Sequence, residues 1–241
     1  NKSFIVQRSA SIREKLASSK QLSEYMHYAI AEKRENIWIA QREGRAKDSD
    51  DRTQEALLKM MAMGGEGTPL ERIKSLNLVP LSISYEYDPC DFLKAKEFQQ
   101  KRDIEGFKKS KQDDLDNMRT GIFGYKGRVH YCAAAPVNTW IDSLADLPKA
   151  DFFKALAEGI DRAIHSGYLI TPGNCVAADE LAGEERYVGK GYTPEQKAAF
   201  DKYIAERLAL IDLPNKDETF LRRMMLEMYA NPLKNYEAAR R

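Results

Sequence analysis

The chain has 241 residues, with 38 Lys and Arg set against 37 Asp and Glu, and a formal net charge of +1. That balance excludes a general nucleic-acid binder, which carries a strong basic excess, so any basic site here has to be local. Hydrophobic residues at 43% and charged residues at 31% suit one large globular domain or a domain with an appendage, and no apolar run approaches the roughly eighteen residues of a membrane span.

The first stretch, Lys2-Ser3-Phe4-Ile5-Val6-Gln7-Arg8, reads as a strand that ends on an arginine. Residues 9–33 read as helical. Ser11 can cap, with Glu14 three residues on as a capping box. Leu22, Tyr25, Met26, Ala29 and Ile30 share one face, and Ser18-Ser19 is a place where the helix can break in two. His27, beside that stripe, reads as a structural histidine. Ile37-Trp38-Ile39 reads as a buried strand running into a polar turn at Glu43-Gly44-Arg45. Arg42, Arg45 and Lys47 place three cations within six residues, and Gly44 permits a positive φ or a close backbone approach. A strand that runs into a glycine-containing, cation-bearing loop is a common way to present a phosphate site. The plainer reading is a solvated charged turn. Asp48, Asp50 and Asp51 lack the glycine and distal carboxylate of a calcium loop and read as an exposed acidic helix start.

Residues 53–63 and 70–76 read as helices on either side of the loop Gly64-Gly65-Glu66-Gly67-Thr68-Pro69. Residues 76–87 form a strand with Pro80 near its start, and a helix begins near Pro89. Residues 94–117 read as a solvated helical insertion, whose basic half, Lys108, Lys109 and Lys111, can face anionic headgroups. Residues 125–133 read as a strand. Helices are expected over 151–165, 193–211 and 217–240, and residues 168–191 read as loop-rich. The three cysteines, Cys90, Cys132 and Cys175, fit neither a disulfide framework nor a metal motif and suit a reducing compartment.

Three of these stretches, in this order and spacing, resemble the conserved blocks of the glycerolipid acyltransferases. Phe4-Ile5-Val6-Gln7-Arg8 is similar to the family's second block, Glu43-Gly44-Arg45 to its third, and Val79-Pro80-Leu81 to its fourth. The resemblance covers roughly residues 2 to 135. The third block departs from the family pattern, with Gln41-Arg42 in place of Phe-Pro and no Thr between Gly44 and Arg45. The chain opens inside the second block, so the resemblance implies that the catalytic His and Asp of the first block lie upstream of Asn1.

The resemblance implies an α/β fold, a mixed sheet flanked by helices, over residues 1–136, with a helical carboxyl-terminal extension over 137–241. It implies O-acyl transfer from an acyl thioester to a lysophospholipid hydroxyl, with 1-acylglycerol 3-phosphate as the expected acceptor. It names Arg8, Glu43, Gly44, Arg45 and Lys47 as substrate-binding residues, the cations to hold the phosphate. No cofactor is expected beyond the donor, acyl-CoA or acyl carrier protein. The expected location is cytoplasmic, peripheral to the inner face of the cell membrane. Two alternatives stay open: a non-catalytic phospholipid- or phosphate-binding module, and an acyltransferase with a different lipid acceptor.

Overall fold

The computed structural model describes residues 11–42, 44 and 46–241. In chain order the elements are α1 (Ile12–Ala31), α2 (Glu55–Met61), α3 (Pro69–Ser75), β1 (Leu81–Tyr85), α4 (Asp91–Asp103), α5 (Lys111–Phe123), β2 (Val129–Ala133), α6 (Lys149–Ser166), α7 (Pro172–Ala182), α8 (Pro194–Ala209) and α9 (Glu218–Ala239). Two short 3-10 turns, Val137–Thr139 and Ile141–Leu144, precede α6. The chain is mostly helical, and β1 and β2 pair antiparallel in a small two-stranded sheet.

Among the described residues the mixed sheet expected from the sequence is therefore reduced to one antiparallel pair, with α4 and α5 between its strands in the chain. The Ile37 stretch is not a strand. Residues 36–40 have no regular secondary structure, and Trp38 is 71% exposed. A β-branched run makes a strand only where a neighbour supplies the ladder, and none of the described residues does so. The Leu78 stretch does form β1, and its partner is β2.

The chain divides into two compact units. One holds the described part of residues 1–45 with Asp51–Leu81 and Ala133–Ile164. Ser11 and Glu14 cap α1 reciprocally, and the helix runs through Ser18-Ser19 unbroken. Its Ser23 hydroxyl is buried; it donates to the Met61 carbonyl at 2.7 Å and accepts from the Gly64 N–H at 2.8 Å. Gly64 is required there, because a Cβ would stand 2.7 Å from the backbone N of Glu24. His27 has Nε2 3.0 Å from the Met61 carbonyl and Nδ1 3.1 Å from the Ser75 hydroxyl, so it ties α1 to α2 and α3. Leu58, Met61, Ile73, Val137, Ile141 and Leu156 are buried in this unit.

The second unit holds Ala46–Asp50, Ser82–Cys132 and His165–Arg241. Its core is helical: α7 packs closely on α9, and α4 and α8 pack on α9 as well. Val176, Phe200, Ile204, Leu221, Met225 and Met228 fill it. The loop expected over 168–191 contains α7, opened by Pro172 in its first turn and closed by Gly183 at φ +66°. Asn174 Oδ1 accepts from the Thr171 N–H and hydroxyl, and its Nδ2 donates to the Tyr229 carbonyl at 2.7 Å, which fastens α7 to α9.

Candidate functional site

Lys47 is the sequence-nominated cation that the structure places in a defined setting. It lies in the second unit, on the segment Ala46–Asp50. That segment is a tight polar turn. Asp50 N–H donates to Asp48 Oδ1 at 3.2 Å, and Ser49 takes a positive φ of +60°. Two asparagines of α9 hold it: Asn231 Nδ2 donates to the Asp48 carbonyl at 2.8 Å, and Asn235 Nδ2 to Asp50 Oδ1 at 2.9 Å. Asp48 and Asp50 thus work as anchors within the fold. Among the described residues no group of acidic, histidine or cysteine side chains could hold a metal ion.

The anchored turn delivers the Lys47 ammonium onto Glu97 Oε1. Glu97 is a residue of α4 with a side chain only 4% exposed. One turn further along α4, Lys101 Nζ lies 3.1 Å from the same oxygen. Lys109, in the segment between α4 and α5, has Nζ 2.7 Å from Oε2 as an ion pair outside hydrogen-bond geometry. Three ammonium groups therefore converge on one buried carboxylate. A carboxylate can be buried only when it is paired, and Glu97 is. Asp114 acts on Lys47 and Asp113 on Lys109 as well, so these lysines share their counter-charge with the start of α5.

Lys47 carries the electrostatic consequence. Burial, followed by the neighbouring ammonium groups of Lys101 and Lys109, pushes it down to about 7, and Asp114 works the other way. An anion arriving beside an ammonium held down by burial and like charges stabilises its protonated form. Lys101, half exposed, leaves the cluster open to solvent.

The other nominated residues stand as follows. Gly44 has φ +78° with nothing within 4 Å of a Cβ placed on it, so the backbone conformation alone requires glycine. Arg42 reaches Asp51 at 3.9 Å. Arg8, Glu43 and Arg45 lie outside the described residues. Glu97 and Lys101 were not nominated from the sequence. Their spacing of four on a helix is the only local signal, and such pairs are commonplace on solvated faces.

A second buried charge in the same unit makes a useful contrast. Asp91, fully buried, accepts from Arg207 Nε at 2.7 Å and from the Phe92 N–H at 2.6 Å through Oδ1. Its Oδ2 accepts from the Tyr203 and Tyr229 hydroxyls at 2.6 and 2.8 Å. Arg207 also donates to the Pro89 carbonyl, and Tyr229 accepts from the Asp88 N–H. Burial raises the Asp91 pKa and Arg207 opposes it. This network is closed, with one cation for one anion and its hydroxyls spent on the carboxylate. It holds α4, α8 and α9 together.

No protein-family model, no curated protein and no solved structure matches the chain. The functional reading therefore stands on side-chain chemistry. The lysine cluster on Glu97 differs from the Asp91 network in setting three cations on one carboxylate, with Lys101 half exposed.

Proposed function

We infer that this chain binds the phosphate of a lysophospholipid and serves O-acyl transfer to that lipid in phospholipid synthesis, with 1-acylglycerol 3-phosphate as acceptor. The observation that supports the reading is the convergence of Lys47, Lys101 and Lys109 on the single carboxylate of Glu97. Lys47 is also one of the residues that the acyltransferase resemblance assigns to the phosphate. In that reaction the acceptor hydroxyl attacks the thioester carbonyl of acyl-CoA or an acyl carrier protein. A C–O bond forms, the C–S bond breaks, and the thiol leaves while a base takes the hydroxyl proton. The base is not assigned to any residue of this chain, which contains no H-x-x-x-x-D pattern. What its own residues contribute is grip on the phosphate, which positions the hydroxyl. A lipid acceptor would place the protein at the cytoplasmic face of a membrane; among the described residues no helix is long and apolar enough to cross one.

The same cluster fits a second reading. Every side chain that supports the inference binds charge, and none is an acid–base group poised at a hydroxyl. A phosphate-binding module without chemistry would use the same lysines. The test is to supply labelled acyl thioester with 1-acylglycerol 3-phosphate or with the matching monoacylglycerol, and to follow both binding and turnover. The acyltransferase reading expects preference for the phosphorylated acceptor and its acylation. Binding with no turnover selects the module, and no preference for the phosphate overturns both.

A further inference from the structure

We propose that Ser75 and His27 form a nucleophile–base pair that hydrolyses small activated carboxylic esters through an acyl-serine. The inference goes beyond the phosphate reading and does not depend on it. Both residues belong to the first unit, His27 on α1 and Ser75 in the last turn of α3. Ser75 is exposed, and its Oγ lies 3.1 Å from His27 Nδ1. His27 Nε2 lies 3.0 Å from the Met61 carbonyl. A carbonyl only accepts, so Nε2 carries the hydrogen, and in the neutral ring Nδ1 is left as an acceptor facing the hydroxyl. A general base needs this relation: hydrogen-bond reach of the nucleophile, and a third group that orients the ring through its other nitrogen. Gly65, at φ +77°, closes on the ring from the side, where a Cβ would stand 2.7 Å from the imidazole Cε1.

The turn that carries Ser75 is fixed in place. Asn138 Nδ2 donates to the Lys74 carbonyl at 2.9 Å, and Lys74 Nζ meets both carboxylate oxygens of Asp142 at 2.8 and 2.9 Å. Arg72 stands three residues before Ser75, on the same face of α3. Its Nη1 donates to the Ala62 carbonyl at 3.2 Å, and its buried Nε has no hydrogen-bond partner among the described residues. A buried donor left unspent costs free energy, and an oxyanion forming on that helix face would relieve it. Ser75 Oγ also lies 2.8 Å from the Arg72 carbonyl, so its one hydrogen is shared between that oxygen and Nδ1. In the reaction Ser75 Oγ attacks the ester carbonyl carbon while its hydrogen passes to His27 Nδ1. The C–O bond to the alcohol then breaks, and the departing oxygen takes the proton from His27. Water next attacks the acyl-serine, giving a hydrogen to Nδ1, and Ser75 Oγ leaves and recovers it, which releases the carboxylic acid.

The experiment treats the whole folded chain with a fluorophosphonate, which phosphonylates activated serines, and locates the adduct by peptide mapping. Ser143 is an internal control. It is exposed and its hydroxyl donates to a carbonyl three residues back, that of Trp140, as Ser75 does to Arg72, but among the described residues it meets no histidine. Ser75 should be labelled at least tenfold faster than Ser143, and at least tenfold more slowly in His27→Gln than in the wild type. The wild type should hydrolyse 4-nitrophenyl acetate, and Ser75→Ala should not. Circular dichroism checks that each variant is folded. Labelling of Ser75 no faster than of Ser143 in the wild type overturns the proposal whether or not the variants fold. Unchanged labelling in folded His27→Gln, or equal ester hydrolysis by the wild type and Ser75→Ala, overturns it as well.

Discussion

Lys47 and Glu97 are fifty residues apart in the chain and meet in an ion pair at the heart of the candidate site. The turn that carries Lys47 is anchored by Asn231 and Asn235, and α4, which carries Glu97, packs on that same helix α9. The pair is thus held by α9, although neither member belongs to it. Lys101 joins Lys47 on the same oxygen, and Lys109 pairs with the other.

If Glu97 restrains the three lysines, Glu97→Gln should have opposed effects on stability and binding. Removing the carboxylate leaves the ammonium groups without their counter-charge. The cost should be about 1–3 kcal/mol, toward the low end because the lysines can turn to solvent. Phosphate affinity should rise, and added phosphate should recover much of the lost melting temperature. Thermal unfolding with and without phosphate measures both.

Asp91→Asn should behave differently. It breaks a closed buried pair and leaves Arg207 without its partner, so a loss of about 3–5 kcal/mol is expected. Urea unfolding reads this directly. Added phosphate should recover no more than it adds to the wild type.

The amount of this arrangement that the sequence reveals depends on how local its cause is. The Ser11–Glu14 and Thr193–Gln196 capping boxes lie within four residues, and both helices start where those residues indicate. β1 and β2 fall within the strands expected over 76–87 and 125–133 and are shorter than either. The apolar run at Ile37 looks the same in isolation and fails as a strand, because pairing is a long-range property. Pro172 and Gly183 suggest a loop when counted as breakers, yet they are the opening and closing residues of α7. In the site, Lys47 stands out by its place in a basic run. Glu97 is one glutamate among many until the chain brings three lysines to it.

The pH dependence follows from Lys47. Its folded value is about 7 against an ordinary 10.5. Between those values the unfolded chain holds a proton that the folded chain lacks, so this residue makes stability rise with pH across that window. Lys47→Met abolishes the contribution. The stability of the wild type minus that of the variant should therefore increase from pH 7 toward 10, as measured by urea unfolding at a series of pH values.

Gly64→Ala tests the packing of the other unit. The new Cβ would meet the α1 backbone at Glu24, which cannot swing aside as a side chain would. A loss of about 1–3 kcal/mol is expected, with glycerol 3-phosphate binding unchanged. Unfolding and binding measured on one sample decide it.

The central claim is that the lysine cluster is a phosphate site. It is tested most directly by calorimetric titration of glycerol 3-phosphate at pH 8, for the wild type and Lys47→Met, in two buffers of different ionisation heat. A bound phosphate favours protonated Lys47, so the wild type should take up a proton on binding. Lys47→Met should bind roughly tenfold to a hundredfold more weakly, the worth of one charge-assisted hydrogen bond of about 1.5–3 kcal/mol, and without that uptake. Equal affinity of the two proteins, with no difference in proton uptake, would contradict the account.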